Sequence, residues 1–168
     1  MAAVEQAEFS AELTLADESA TTALAGVIKP VLQAGDVLLL AGPVGAGKSF
    51  FARALISAML AEHGLVEDIP SPTFTLVQTY QAGDLEIWHS DLYRLTSVDE
   101  VAELGLLDAF ATALCLVEWP DRLREELPTD ALTLAFALGK TPGERQVVIS
   151  SANRRWLPLI DRLKERSA

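Results

Sequence analysis

One stretch, LLLAGPVGAGKSFFARAL, limits the fold more than any other part of the chain. The run Val37 to Leu40 reads as a short buried strand. From Ser49 onward Phe51, Ala54, Leu55 and Ala58 recur at helical spacing. Between them stands GxxxxGKS, Gly42 to Ser49. Strand, glycine-rich turn and helix in this order suit a polyphosphate, because glycines let successive backbone N–H groups curl around an anion at a helix N-terminus. Gly42, Val44, Gly45, Ala46 and Gly47 would form the cradle. Lys48 would reach the β- and γ-phosphates, and the Ser49 hydroxyl would ligate Mg²⁺. A chance glycine-rich turn would not also carry the flanking strand and helix.

The remaining pattern extends this unit into one domain over residues 1–168, a length sufficient for a real core. A strand is expected near Glu12 to Leu15. Asp17 reads as the cap of a helix whose stripe is Leu24, Val27, Ile28, Val31 and Leu32, kinked at Pro30. The phosphate-loop helix ends at Gly64. SPTFTLVQTYQAGDLEIWHSDLYRL reads as two strands joined at Ala82-Gly83-Asp84, and SVDEVAELGLLDAF as a helix with a Ser97/Glu100 capping box. ALCLVEWP is a buried strand stopped by Pro120, and ALTLAF with RQVVISS a terminal strand pair. The last helix would bury Trp156, Leu157, Ile160 and Leu163. The expected fold is therefore a P-loop NTPase-like α/β sandwich, with a mostly parallel central sheet, an antiparallel portion and helices on both faces.

Charge narrows the partners. The formal net charge is -11, and it is unevenly spread: the 7 basic and 3 acidic residues from Lys140 to Ala168 make the tail +4 and leave the body at -15. Such a body repels a phosphate backbone, so stable tRNA binding by the chain alone is not expected. No apolar stretch reaches the ~18 residues of a membrane helix. The acidic start MAAVEQAEFSAEL lacks a basic leader region, so the expected location is the cytoplasm. Cys115, flanked by Leu114, Leu116 and Val117, is expected to be a buried core thiol.

A phosphate loop needs an acid for its metal and a group to orient water. Period-2 alternation in LEIWHSD puts Leu85, Ile87, His89 and Asp91 on one face, with Asp91 at the strand's C-terminal end. Open α/β sheets bind ligands at that edge. Glu118 follows the apolar run Leu114 to Val117, where a Walker B acid would stand. His89 reads as a hydrogen-bonded structural histidine and His63 as a surface residue at a helix end.

GAGKSFFAR, SPTFTLVQTY, HSDLYRL and LVEWP, in this order and spacing, resemble the TsaE family, the small P-loop ATPases of bacterial tRNA threonylcarbamoyladenosine biosynthesis. The resemblance spans roughly residues 17 to 155. It implies ATP/ADP and Mg²⁺ binding, slow ATP hydrolysis, and association with the TsaD–TsaB pair that transfers the threonylcarbamoyl group. It gives Mg²⁺ to Ser49 and Glu118 and hydrolysis to Asp91. It also brings Glu18 and Lys140 near the nucleotide and makes Ser71 to Thr75 a switch-like loop with Thr73 its polar contact. Trp119 would pack beside the nucleotide or fill the core. Pro43-Val44 replaces the family's usual Asp-Leu, and Ser49 its usual Thr. Serine keeps the metal-ligating oxygen, while Pro43 removes one N–H from the loop.

Rival classes fit less well. The NKxD motif of guanine selection is excluded, because Asn153, followed by two arginines, is the sole asparagine. A small P-loop kinase generally carries a basic lid, yet Arg94 is the one arginine between Arg53 and Arg122. A nucleotide-gated binding subunit with incidental hydrolysis is different: it needs the same pocket as an ATPase, and the sequence does not separate the two.

Overall fold

The computed structural model describes residues 8–72 and 75–167. Among them the strands are β1 (Phe9–Leu15), β2 (Val37–Ala41), β3 (Val77–Ala82), β4 (Leu85–Asp91), β5 (Leu114–Glu118), β6 (Leu132–Leu138) and β7 (Arg145–Ser151). They form one sheet in the order β1-β7-β6-β2-β5-β4-β3. The inner four strands, β6, β2, β5 and β4, are mutually parallel. β7 and β1 extend one edge and β3 the other, all antiparallel.

The central strands read as unbroken apolar runs because both their faces are covered. Leu38 and Leu40 of β2 and Leu114 and Leu116 of β5 pack into one layer with helices α1 (Glu18–Ile28), α2 (Lys48–Ala61) and α5 (Leu157–Ser167). The alternate residues Val37, Leu39, Cys115 and Val117 face the opposite layer, beside α3 (Val98–Glu103) and α4 (Leu106–Thr112). Cys115 is fully buried, and burial pushes its thiol up to about 12.

Local chemistry explains most boundaries and several departures from the expected ones. The Asp17 side chain accepts from Ala20 N–H at 2.9 Å and starts α1. That helix stops at Ile28 instead of bending, because Pro30 tightens Lys29–Val31 into a 3₁₀ turn. β1 begins at Phe9, three residues before the expected start, since its ladder with β7 runs from Phe9 to Leu15. On α2, Phe51 and Leu55 are buried as expected, but Ala52, Ile56, Met59 and Leu60 complete the face, while Ala54 and Ala58 are half-buried. The α2 terminus closes as a Schellman motif: Gly64, at φ +70, gives its N–H to Ala61 O, and Leu65 N–H reaches Leu60 O.

The expected single helix after Ser97 is two, divided at Gly105 (φ +81). Its capping box is displaced: Ser97 makes no side-chain cap, and Glu100 accepts instead from the Thr96 N–H at 2.8 Å. Leu159 joins Ile160 and Leu163 on the buried face of α5, Trp156 is buried in the 3₁₀ turn just before it, and Leu157 is half-buried.

Candidate functional site

The C-terminal ends of β2, β5 and β4 lie side by side, in the registers Leu40↔Glu118 and Asp91↔Glu118. Parallel neighbours in register point to the same face, so Asp91 and Glu118 stand together on the α2 side of the sheet. The loop after β2 returns over this edge into α2. There Gly42, Gly45 and Gly47 take φ values of +130, +80 and +110, which side chains with a Cβ rarely adopt. A Cβ on Gly42 would lie 2.3 Å from the Phe136 carbonyl oxygen, so the loop rests directly on β6. Pro43 opens a turn whose carbonyl accepts the Ala46 N–H at 3.2 Å, with Val44 exposed at its crest and Ala46 buried beneath. The first amides of α2 have no acceptor within the helix and make its N-terminus a site for anions.

Lys48 and Ser49, the first residues of α2, meet the strand-end acids. The Ser49 hydroxyl donates to Glu118 Oε1 at 2.8 Å, and the other carboxylate oxygen is 2.7 Å from His89 Nε2. Lys48 donates to the Gly42 carbonyl, and its ammonium lies 3.6 Å from the centre of the Trp119 ring. Burial holds the Lys48 pKa below its ordinary value, against the upward pull of Glu118, Asp91 and Asp121. The Asp91 side chain accepts from Tyr93 N–H at 3.0 Å, and its backbone N–H donates to Leu76 O.

Two bulky residues beside these acids take left-handed backbone, Trp119 (φ 59) and Leu76 (φ 68). Such strain is held only where surrounding contacts fix it. At Trp119 those contacts are the Lys48 ammonium and the Tyr93 ring, with ring centroids 4.8 Å apart.

The resulting cleft encloses about 500 Å³. Val44, Gly45, Gly47, Lys48, Ser49, Asp91, Glu118, Trp119 and Glu18 line it, so the phosphate loop, the HSDLYRL and LVEWP stretches and the start of the first helix converge there. Gly42 and Ala46 support the loop without lining the cleft. Lys140 is exposed in the β6–β7 hairpin and does not line it; Gly143 and Arg145 of the same hairpin do. Thr73 lies outside the described residues.

Sequence reasoning read Asp17 as a helix cap and not as a site residue, and it did not single out Thr21 of α1, Phe50 and Arg53 on α2, or Tyr93; all of them line the cleft. Tyr93 stood in plain view two residues after Asp91. Arg145 gave no signal, because its approach to Gly47, with 3.8 Å from its Cγ to a Cβ built there, depends on the pairing of β6 with both β2 and β7.

These residues fit a magnesium nucleotide. Ser49 and Glu118 offer hard oxygen ligands, Lys48 is a buried cation, and the cradle has no room for a Cβ at Gly42. Among the described residues no group of three or more His, Cys, Asp and Glu is arranged to hold a metal ion.

Comparison with known proteins agrees with this architecture. The family model described as "Threonylcarbamoyl adenosine biosynthesis protein TsaE" matches residues 15–147. A protein of Rickettsia conorii named tRNA threonylcarbamoyladenosine biosynthesis protein TsaE is 42% identical over 114 residues, covering 68% of this chain but 63% of its own length. The Bacillus subtilis protein of the same name is 34% identical over 146 residues, 85% of this chain and 87% of that one. The crystal structure of Bacillus subtilis YdiB superposes with a TM-score of 0.74 at 25% identity, covering 96% of this chain and 99% of that one. Family model, relatives and fold converge, and the chain belongs to the TsaE family.

Proposed function

We propose that the chain binds MgATP in this cleft, hydrolyses it slowly, and serves the threonylcarbamoyladenosine modification of tRNA through nucleotide-dependent association with the TsaD–TsaB pair. The observation that carries the reading is the direct bond from Ser49, at the start of α2, to Glu118, at the end of the adjacent parallel strand. It unites a phosphate loop with an acid placed for the accompanying metal.

Each residue then has a physical task. The loop amides and the Lys48 ammonium neutralise phosphate charge in a site where burial strengthens such interactions. Ser49 and Glu118 hold Mg²⁺, which when bound screens the charge of the phosphate oxygens. Asp91, across the strand pair from Glu118, orients the attacking water and accepts its proton. Trp119 and Tyr93, ring against ring, form one wall. No helix among the described residues is long and apolar enough to cross a membrane, and the body of charge -15 favours a protein partner over direct tRNA binding.

The test is ATP turnover by the purified chain with and without TsaD–TsaB, together with its affinity for that pair in ATP, ADP and no nucleotide. Mg²⁺-dependent turnover and a tighter complex with ATP are expected. Equal affinity in all three states would remove nucleotide-dependent association. Partner affinity that follows nucleotide with no turnover in any mixture would leave a nucleotide-gated binding subunit instead of an ATPase.

A further inference from the structure

We infer that His89 is a positioning residue for the metal: it fixes the carboxylate of Glu118 so that one oxygen is held toward Ser49. The inference rests on the MgATP reading and deepens it. His89 is fully buried on β4, two residues before Asp91, and its ring reaches across to β5. Its Nε2 lies 2.7 Å from Glu118 Oε2, while Ser49 Oγ lies 2.8 Å from Glu118 Oε1. A carboxylate that ligates a metal is ionised and only accepts hydrogen bonds, so in that state Nε2 is the donor. The carboxylate is thereby held at both oxygens, by a strand on one side and a helix on the other.

The other ring nitrogen, Nδ1, has no hydrogen-bond partner among the described residues, so the bond to Glu118 is the one the ring makes there. A leucine could occupy a buried position without leaving a ring nitrogen unpaired. The feature that an imidazole adds at this position is the N–H aimed at Glu118. Without it Oε2 loses its donor and the carboxylate is free to turn away from Ser49. Ligating carboxylates depend on such outer hydrogen bonds, whose removal typically weakens metal binding by about 10–100-fold.

The experiment measures ATP affinity across a Mg²⁺ titration for the wild type, His89→Leu, His89→Gln and His89→Asn, with the urea midpoint of each. The Gln amide extends about as far as Nε2, whereas Asn stops near the position of Nδ1. His89→Leu and His89→Asn should raise the Mg²⁺ concentration for half-maximal effect by about tenfold or more. His89→Gln should restore most of the loss. Affinity without Mg²⁺ should be the same in all four, because Lys48 and the loop amides do not touch His89.

Should His89→Leu fail to fold, the Asn and Gln variants carry the same comparison. Equal shifts in Asn and Gln, an unchanged Mg²⁺ dependence, or a matching loss of Mg²⁺-free affinity would overturn the inference while leaving the MgATP reading in place. A wild type whose ATP binding ignores Mg²⁺ would overturn both.

Discussion

Gly42→Ala should damage the site more than the same change three residues later. At Gly42 the new Cβ would stand 2.3 Å from Phe136 O and 3.1 Å from Phe136 C. Phe136 cannot yield, because β6 is paired on both sides, to β2 and to β7. The loop must therefore rise by roughly 1 Å to regain ordinary contact. Holding alanine at φ +130 costs about 1–3 kcal/mol. Overpacking adds about 1–3 kcal/mol, for a total of about 2–6.

A small domain has about 5–15 kcal/mol of stability, so this is a large share. With a urea slope of about 2 kcal/mol/M the midpoint should fall by about 1–3 M. Gly45 at φ +80 has open space where a Cβ would go, so Gly45→Ala costs only the left-handed penalty of about 1–2 kcal/mol. Urea denaturation followed by circular dichroism, with ATP titration of each variant, measures the contrast. If the loop lifts locally, stability falls less, but the Gly42 carbonyl leaves Lys48 and ATP affinity still drops. A Gly42→Ala protein with wild-type midpoint and wild-type ATP affinity would refute the reasoning.

Asp91→Asn should keep nucleotide affinity and lose turnover, whereas Glu118→Gln should also lose Mg²⁺ dependence; kcat and ATP affinity across a Mg²⁺ titration separate the two. Cys115 should resist thiol reagents at pH 8 in the native protein and react fully in urea, because burial raises its pKa to about 12; rapid native labelling would contradict its place in the core. The lowered Lys48 pKa means that the folded state binds fewer protons than the unfolded one between its own pKa and 10.5, so this residue's contribution to stability rises with pH across that window. The stability of wild type relative to Lys48→Met should accordingly improve as pH approaches 10.5, and urea midpoints in a pH series check the sign.

The chemistry of the site was legible where it depends on local pattern. Lys48 and Ser49 follow from an eight-residue motif between a strand and a helix, and Asp91 and Glu118 from their places at the ends of strands. What the sequence could not reveal is adjacency. That β5 lies between β2 and β4, which lets Glu118 touch both Ser49 and His89, depends on strand order. The β6–β7 hairpin contributes Arg145 to the cleft and holds Lys140 outside its lining, because strand alternation and loop geometry decide which side chains reach inward. The capping-box reading failed for a related reason: Glu100 found the Thr96 amide, one residue before the expected partner. Thus the residue types pointed to the edge of the sheet where the cleft lies, while long-range pairing chose its walls.

The most direct test of the central claim is calorimetric titration of ATP with Mg²⁺ into the wild type and into Lys48→Ala. One ATP should bind per wild-type chain. Loss of the buried ammonium should weaken binding by at least about tenfold, or ~1.4 kcal/mol, in a variant whose circular dichroism remains native. Unchanged ATP affinity in folded Lys48→Ala would contradict the assignment of this cleft to the nucleotide.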